Sequence, residues 1–144
     1  MRKLFLVGVF LLIGLIFASN YPVYTLEDAP VRKEFSVLEG QTLNFDIVSF
    51  DPDGDAVTIE VISELPEGMI LGETMLREEF SDDSLPEPTL DSNPAWYTRS
   101  VEWTPNFQQQ GEYIIEIRAE DEFGAENYIR YKVTVTGVNR PPVL

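Results

Sequence analysis

Ile129-Arg130-Tyr131-Lys132-Val133-Thr134-Val135 alternates apolar and polar residues without a break, and that period of two decides the fold class. A helix needs apolar residues three and four apart, whereas strict alternation places one set on each face of a half-buried strand. Working back along the chain, Tyr113, Ile115, Ile117 and Ala119 alternate with Glu112, Glu116 and Arg118, and Val101 and Trp103 flank Glu102. Val57, Ile59 and Val61 interleave with Thr58 and Glu60; Leu43, Phe45 and Ile47 point away from Asn44, Asp46 and Val48. Val31 to Leu38, and a poorer run from Met69 to Gly72, bring the predicted strands to seven. The breaks carry turn chemistry: Glu39-Gly40, Asp53-Gly54, Pro66-Glu67-Gly68, Pro105-Asn106 and Phe123-Gly124. Short strands with regular turns, and no helical period after the N-terminus, predict an all-β sandwich of two sheets. Gly111-Glu112-Tyr113 fits the tyrosine corner that Greek-key sandwiches place at the start of a late strand.

Ahead of the sandwich, Arg2 and Lys3 precede an apolar run from Leu4 to Ala18, followed by small or polar residues. This is the layout of a secretory signal, and the run is shorter than the ~18 residues a spanning helix needs. A cleaved signal helix over residues 1–19 is therefore expected rather than a retained anchor, with residues 20–30 as an N-terminal linker. About 125 residues remain, enough for one core. The sequence has no Cys, so an exported domain must be held by its core, or by core plus metal.

The formal charge is −15, and becomes −17 once Arg2 and Lys3 are removed with the signal. Such a surface repels nucleic acid and anionic membranes and suits a cation. With no His and no Cys, the usual nucleophile and base pairs are absent, so a non-catalytic module is expected. Residues 73–98 interrupt the alternation with acids and with Pro86, Pro88 and Pro94, and read as a long loop. Near its end, Trp96 and Tyr97 offer a sugar-stacking platform, which makes a carbohydrate-binding accessory module the alternative reading. Trp103 reads as core.

Asp51-Pro52-Asp53-Gly54-Asp55 gathers three carboxylates within one turn. Ca²⁺ takes six to eight oxygen ligands, and this turn alone does not close such a shell. An EF-hand is excluded, since Ala56 and Ile62 stand where that loop needs Gly and Glu. Glu39 before the second strand and Asp121 after the sixth are expected at the same end of the sandwich as this turn, so that acids from several loops converge there.

Glu39-Gly40-Gln41-Thr42-Leu43, the Asp51 to Asp55 turn, Leu65-Pro66-Glu67-Gly68, Val101-Glu102-Trp103-Thr104-Pro105, Gly111-Glu112-Tyr113, Ala119-Glu120-Asp121 and Val138-Asn139-Arg140-Pro141-Pro142 occur in one order. Together they resemble the cadherin-like, dystroglycan-type repeats and related Ig-like repeats of bacterial surface proteins, over almost all of Val31 to Leu144. The resemblance implies an Ig-like Greek-key module over 31–138, found in tandem on exported adhesins, with Ca²⁺ at the junction between modules. It implies metal ligands at Glu39, Asp51, Asp53, Asp55, Asp121 and Asn139. Gly137 and Arg140 replace acids of the fuller linker, which reduces the implied count to one ion or none. Residues 139–144 echo Asn20-Tyr21-Pro22-Val23 and read as a linker or the opening of a next repeat. Neighbouring modules, another cell-surface protein or a glycan are the expected partners, at the cell surface or secreted, with membrane contact only through the signal or an anchor.

Overall fold

In a computed structural model, residues 21–78, 80–88 and 93–144 are described; the signal reading over 1–19 lies outside them. Seven strands follow in order: β1 (Val31–Leu38), β2 (Leu43–Asp51), β3 (Val57–Val61), β4 (Ile70–Arg77), β5 (Ala95–Trp103), β6 (Gly111–Asp121) and β7 (Glu126–Thr136). They form a four-stranded sheet, β1-β7-β6-β3, facing a three-stranded sheet, β2-β5-β4. β1 runs parallel to β7, and the other pairs are antiparallel. This is an immunoglobulin-like sandwich.

The alternation does what it predicts. Tyr131, Val133 and Val135 face inward from β7, Ile115 and Ile117 from β6, Ile59 from β3 and Ile47 from β2, all buried in one core. Trp103 is fully buried, and its indole N–H donates to the Glu67 carbonyl at 3.0 Å, which satisfies the ring's one polar atom. The Tyr113 hydroxyl donates to the Gln109 carbonyl at 2.8 Å, so the tyrosine corner is present. Phe35 stacks on Phe45, with Tyr131 against both rings. Burial there pushes the Tyr131 hydroxyl up to about 12.

The stretch 73–98 is mostly ordered against the sandwich. β4 extends to Arg77 and β5 begins at Ala95, so only residues 78–94 connect them. Alternation marked β4 only as the poorer run up to Gly72, because it is an edge strand with a register shift between Leu71 and Thr74, and Ile70, Met75 and Leu76 stay exposed. The connection is anchored at Asp82, which forms an ion pair with Lys33 at 2.6 Å and accepts from the Ser84 N–H and hydroxyl. Burial alone would raise the Asp82 carboxyl; the hydrogen bonds from Lys33 and Ser84 and the Lys33 charge outweigh it and hold the carboxyl below its ordinary value. Trp96 is not a platform for sugars. It is 7% exposed, packed between Phe50 and Phe80 at ring distances of 4.8 and 5.8 Å, because the connection folds back over it.

The N-terminal linker is likewise pinned. Tyr24 N–H donates to Asn127 Oδ1, Tyr128 N–H to the Tyr24 carbonyl, and Arg130 N–H to the Pro30 carbonyl. Arg130 also sends its guanidinium to the Ala29 and Leu26 carbonyls, both at 2.7 Å, and to Glu116. Residues 21–30 thus form a strap along β7.

Candidate metal centre at the N-terminal pole

β2 and β6 end at the same pole, because both run antiparallel to the strands that start there and Val57, after the first turn, pairs with Asp121, before the second. Each strand ends in an Asp, and the two turns are built alike. Asp51 accepts the Gly54 N–H on its carbonyl and the Asp53 and Asp55 N–H groups on Oδ1, at 3.2, 2.9 and 3.2 Å. Asp121 accepts the Gly124 N–H on its carbonyl and the Phe123 and Ala125 N–H groups on Oδ1, at 3.1, 2.9 and 2.9 Å. Gly54 and Gly124 sit at φ of +82° and +87°, a conformation that costs other residues dearly and glycine little. The Glu122 N–H donates to the Ala56 carbonyl and links one turn to the other.

The outcome is a compact acid group. One carboxylate oxygen from each of Asp51, Asp55 and Asp121 lies within 4.8 Å of the other two, all half-buried. The described hydrogen bonds to Asp51 and Asp121 fall on Oδ1, so their second oxygens carry no backbone donor. The Asp55 carboxyl is raised above its ordinary value, first by burial and then by the charges of Asp51, Glu122, Asp53 and Asp121. Three converging hard oxygens with their repulsion unrelieved fit one ion of the Ca²⁺ type, whose shell would need further oxygens from carbonyls or water.

Three of the six expected ligands do not belong to this group. Asp53 is in the same turn but points into solvent, outside the three-oxygen cluster. Glu39 and Asn139 lie at the opposite pole, where β1 and β7 end: the Glu39 N–H donates to the Thr136 carbonyl and the Gly40 N–H to the Pro105 carbonyl. The expectation that Glu39 shares a pole with Asp51 fails because β2 lies between them, and nine residues of strand carry the chain roughly 25 to 30 Å from one end to the other. The matching role of the two turns was missed in the sequence, although Asp51-x-x-Gly54 and Asp121-x-x-Gly124 share one spacing.

The sequence profile of the bacterial Ig domain family matches residues 27–136. No curated protein matches the chain in sequence. Among solved structures, the sialic acid binding region of a Streptococcus sanguinis SK1 adhesin bound to 3'sLn is 17% identical at a TM-score of 0.45, over 73% of this chain and 28% of that one. The GspB Siglec domain is 12% identical at 0.46, over 76% and 56%. The BIgI domain of beta protein from S. agalactiae, bound to CEACAM1, is 11% identical at 0.43, over 76% and 94%. The chain thus spans about a quarter and about half of the length of the first two.

Proposed function

Because the chain belongs to the bacterial Ig domain family, we propose that it is a non-catalytic spacer or adhesion module of an exported surface protein, of cadherin-like type, with one weak Ca²⁺ site at its N-terminal pole. The observation that carries the metal reading is the convergence of Asp51, Asp55 and Asp121 oxygens within 4.8 Å from two twin turns. Ca²⁺ bound there offsets two of the three carboxylate charges. The protein's own contribution is to fix Asp51 and Asp121 by two backbone N–H groups each, so that little ordering remains when the ion arrives. The pole that carries the site also receives the N-terminal strap, so occupancy would stiffen the end that faces a preceding module or a surface partner. Partners of this module are a neighbouring repeat, a cell-surface protein or a glycan.

With extracellular-type affinity of ~10⁻⁴ to 10⁻³ M and ~1 mM free ion, binding contributes about 0.4 to 1.4 kcal/mol. In a domain of this size that is a rise in Tm of about 2 to 6 °C. Calorimetric titration with Ca²⁺, and melts with and without chelator, test the reading. Saturable binding that disappears in Asp121→Asn supports it; no heat and no shift at millimolar Ca²⁺ leaves a structural spacer without metal.

A further inference from the structure

Below the acid turns, the two sheets part to leave a cavity of about 310 Å³. Its floor includes Ile47, Ile59, Ile117 and Ile129, and Asp51, Asp53, Asp121 and Glu126 stand on its border. One lining residue does not fit a structural role. The β1 ladder shifts register between Val31 and Lys33, so Arg32 is the extra residue of a bulge, a feature that re-aims a side chain. Arg32 lines the cavity and lies over the Tyr24 ring at 5.6 Å, while its buried Nε–H has no acceptor among the described residues. Other arginines are engaged: Arg99 caps carbonyls of Gly72 and Ile59, Arg118 pairs with Glu60 although its Nε–H also lacks an acceptor among the described residues, Arg130 pairs with Glu116, and Arg140 lies over the Phe107 ring. In a chain with 25 acids and 10 cations, an arginine beside a cavity with no carboxylate of its own is a recognition group in want of an acceptor.

The three kinds of lining select a ligand. An apolar floor takes an aliphatic or aromatic body, and a cavity at the small end of the usual range limits that body to about one side chain. A plain organic anion would suit Arg32 but meet the carboxylates on the border; a plain cation would suit the border but leave Arg32 unanswered. A molecule carrying an ammonium and an acceptor oxygen side by side answers both. We propose that this cavity binds the end group of an apolar α-amino acid, free or at the head of a peptide. The side chain enters the isoleucine floor, the carboxylate or carbonyl oxygen accepts from Arg32, and the α-ammonium faces the carboxylates on the border. Asp51 and Asp121 belong to this border and to the candidate metal group alike, so an ion and the ammonium would compete there, and the binding is read first in chelator.

The experiment is a titration of the mature chain, isotopically labelled at isoleucine methyl groups, with leucine, leucyl-glycine, N-acetyl-leucine and glycine, each in chelator and again in millimolar Ca²⁺. Leucine or leucyl-glycine should shift the Ile47, Ile59, Ile117 and Ile129 methyls saturably, and whichever binds more tightly identifies the free or the peptide form. N-acetyl-leucine, without the ammonium, and glycine, without the body, should bind at least about tenfold more weakly, and Arg32→Gln should cost about tenfold, the worth of one charge-assisted hydrogen bond. Arg32 is on an edge strand, and an unchanged spectrum of the free variant shows that the fold survives. No saturable shift with either leucine compound overturns the proposal, as does equal binding of N-acetyl-leucine or an Arg32→Gln variant that binds as well as the parent. Loss of Ca²⁺ binding alone bears only on the metal reading.

Discussion

Asp55 and Arg130 show how far one side chain's surroundings differ from its place in the pattern. Asp55 is a carboxylate in a turn with Asp51 and Asp53, and its neighbours raise its carboxyl after burial has done so. A raised carboxyl binds a proton more readily in the fold than in the unfolded chain, so its ionisation opposes folding, and that penalty is relieved as pH falls through the raised value. Asp55→Asn should therefore raise the Tm in chelator at neutral pH and abolish the further rise with Ca²⁺; a variant that melts lower in chelator contradicts this. In the alternation of β7 Arg130 is the polar residue between Ile129 and Tyr131. Its guanidinium holds the Leu26 and Ala29 carbonyls and Glu116 at once. Arg130→Ala should cost about 1.5 to 3 kcal/mol, the range for hydrogen bonds to a charged group, read as a lower denaturation midpoint, and should speed hydrogen exchange at Tyr24 and Tyr128. Nothing in the alternation of β7 distinguishes Arg130 from Lys132, because the partners that make it a clamp come from about a hundred residues earlier.

Strands were the most legible level. β1, β3, β6 and β7 follow the alternating residues closely, since one face of each meets the core and the other meets water. The second half of β4 and the first half of β5 were hidden, because the connection brings Phe80 onto the outer face of β5, and Trp96 and Thr98 are buried where a long loop was expected. A strand buried on both faces loses the period of two. The connection that covers it hangs on Lys33 and Asp82. Since the Asp82 carboxyl is lowered in the fold, the stability it contributes is present above its unfolded value of 3.8 and is lost as pH falls through the folded value. The indole N–H resonance of Trp96 should thus hold steady down to about pH 4 and change below it, and Asp82→Asn should bring that changed resonance to neutral pH. A Trp96 signal indifferent to both would show that the ion pair does not anchor the connection.

At the scale of the molecule, the candidate site was half legible. Residue types and turn spacing pointed to Asp51, Asp55 and Asp121, but assigning loops to ends requires counting each passage of a strand, and Glu39 and Asn139 were placed without it. Their position at the far pole yields a direct test: Glu39→Gln and Asn139→Ala should leave the calcium-dependent Tm shift of the isolated chain unchanged, while Asp51→Asn removes it. A shift lost in either far-pole variant would mean that the two ends communicate. The parallel pairing of β1 with β7 has a consequence of another kind. The chain enters β1 at one end of the sandwich and leaves β7 at the other, so tension along the polypeptide drags these two strands past each other lengthwise. Every rung of that ladder, from Val31 with Arg130 to Leu38 with Thr136, resists together instead of opening one by one.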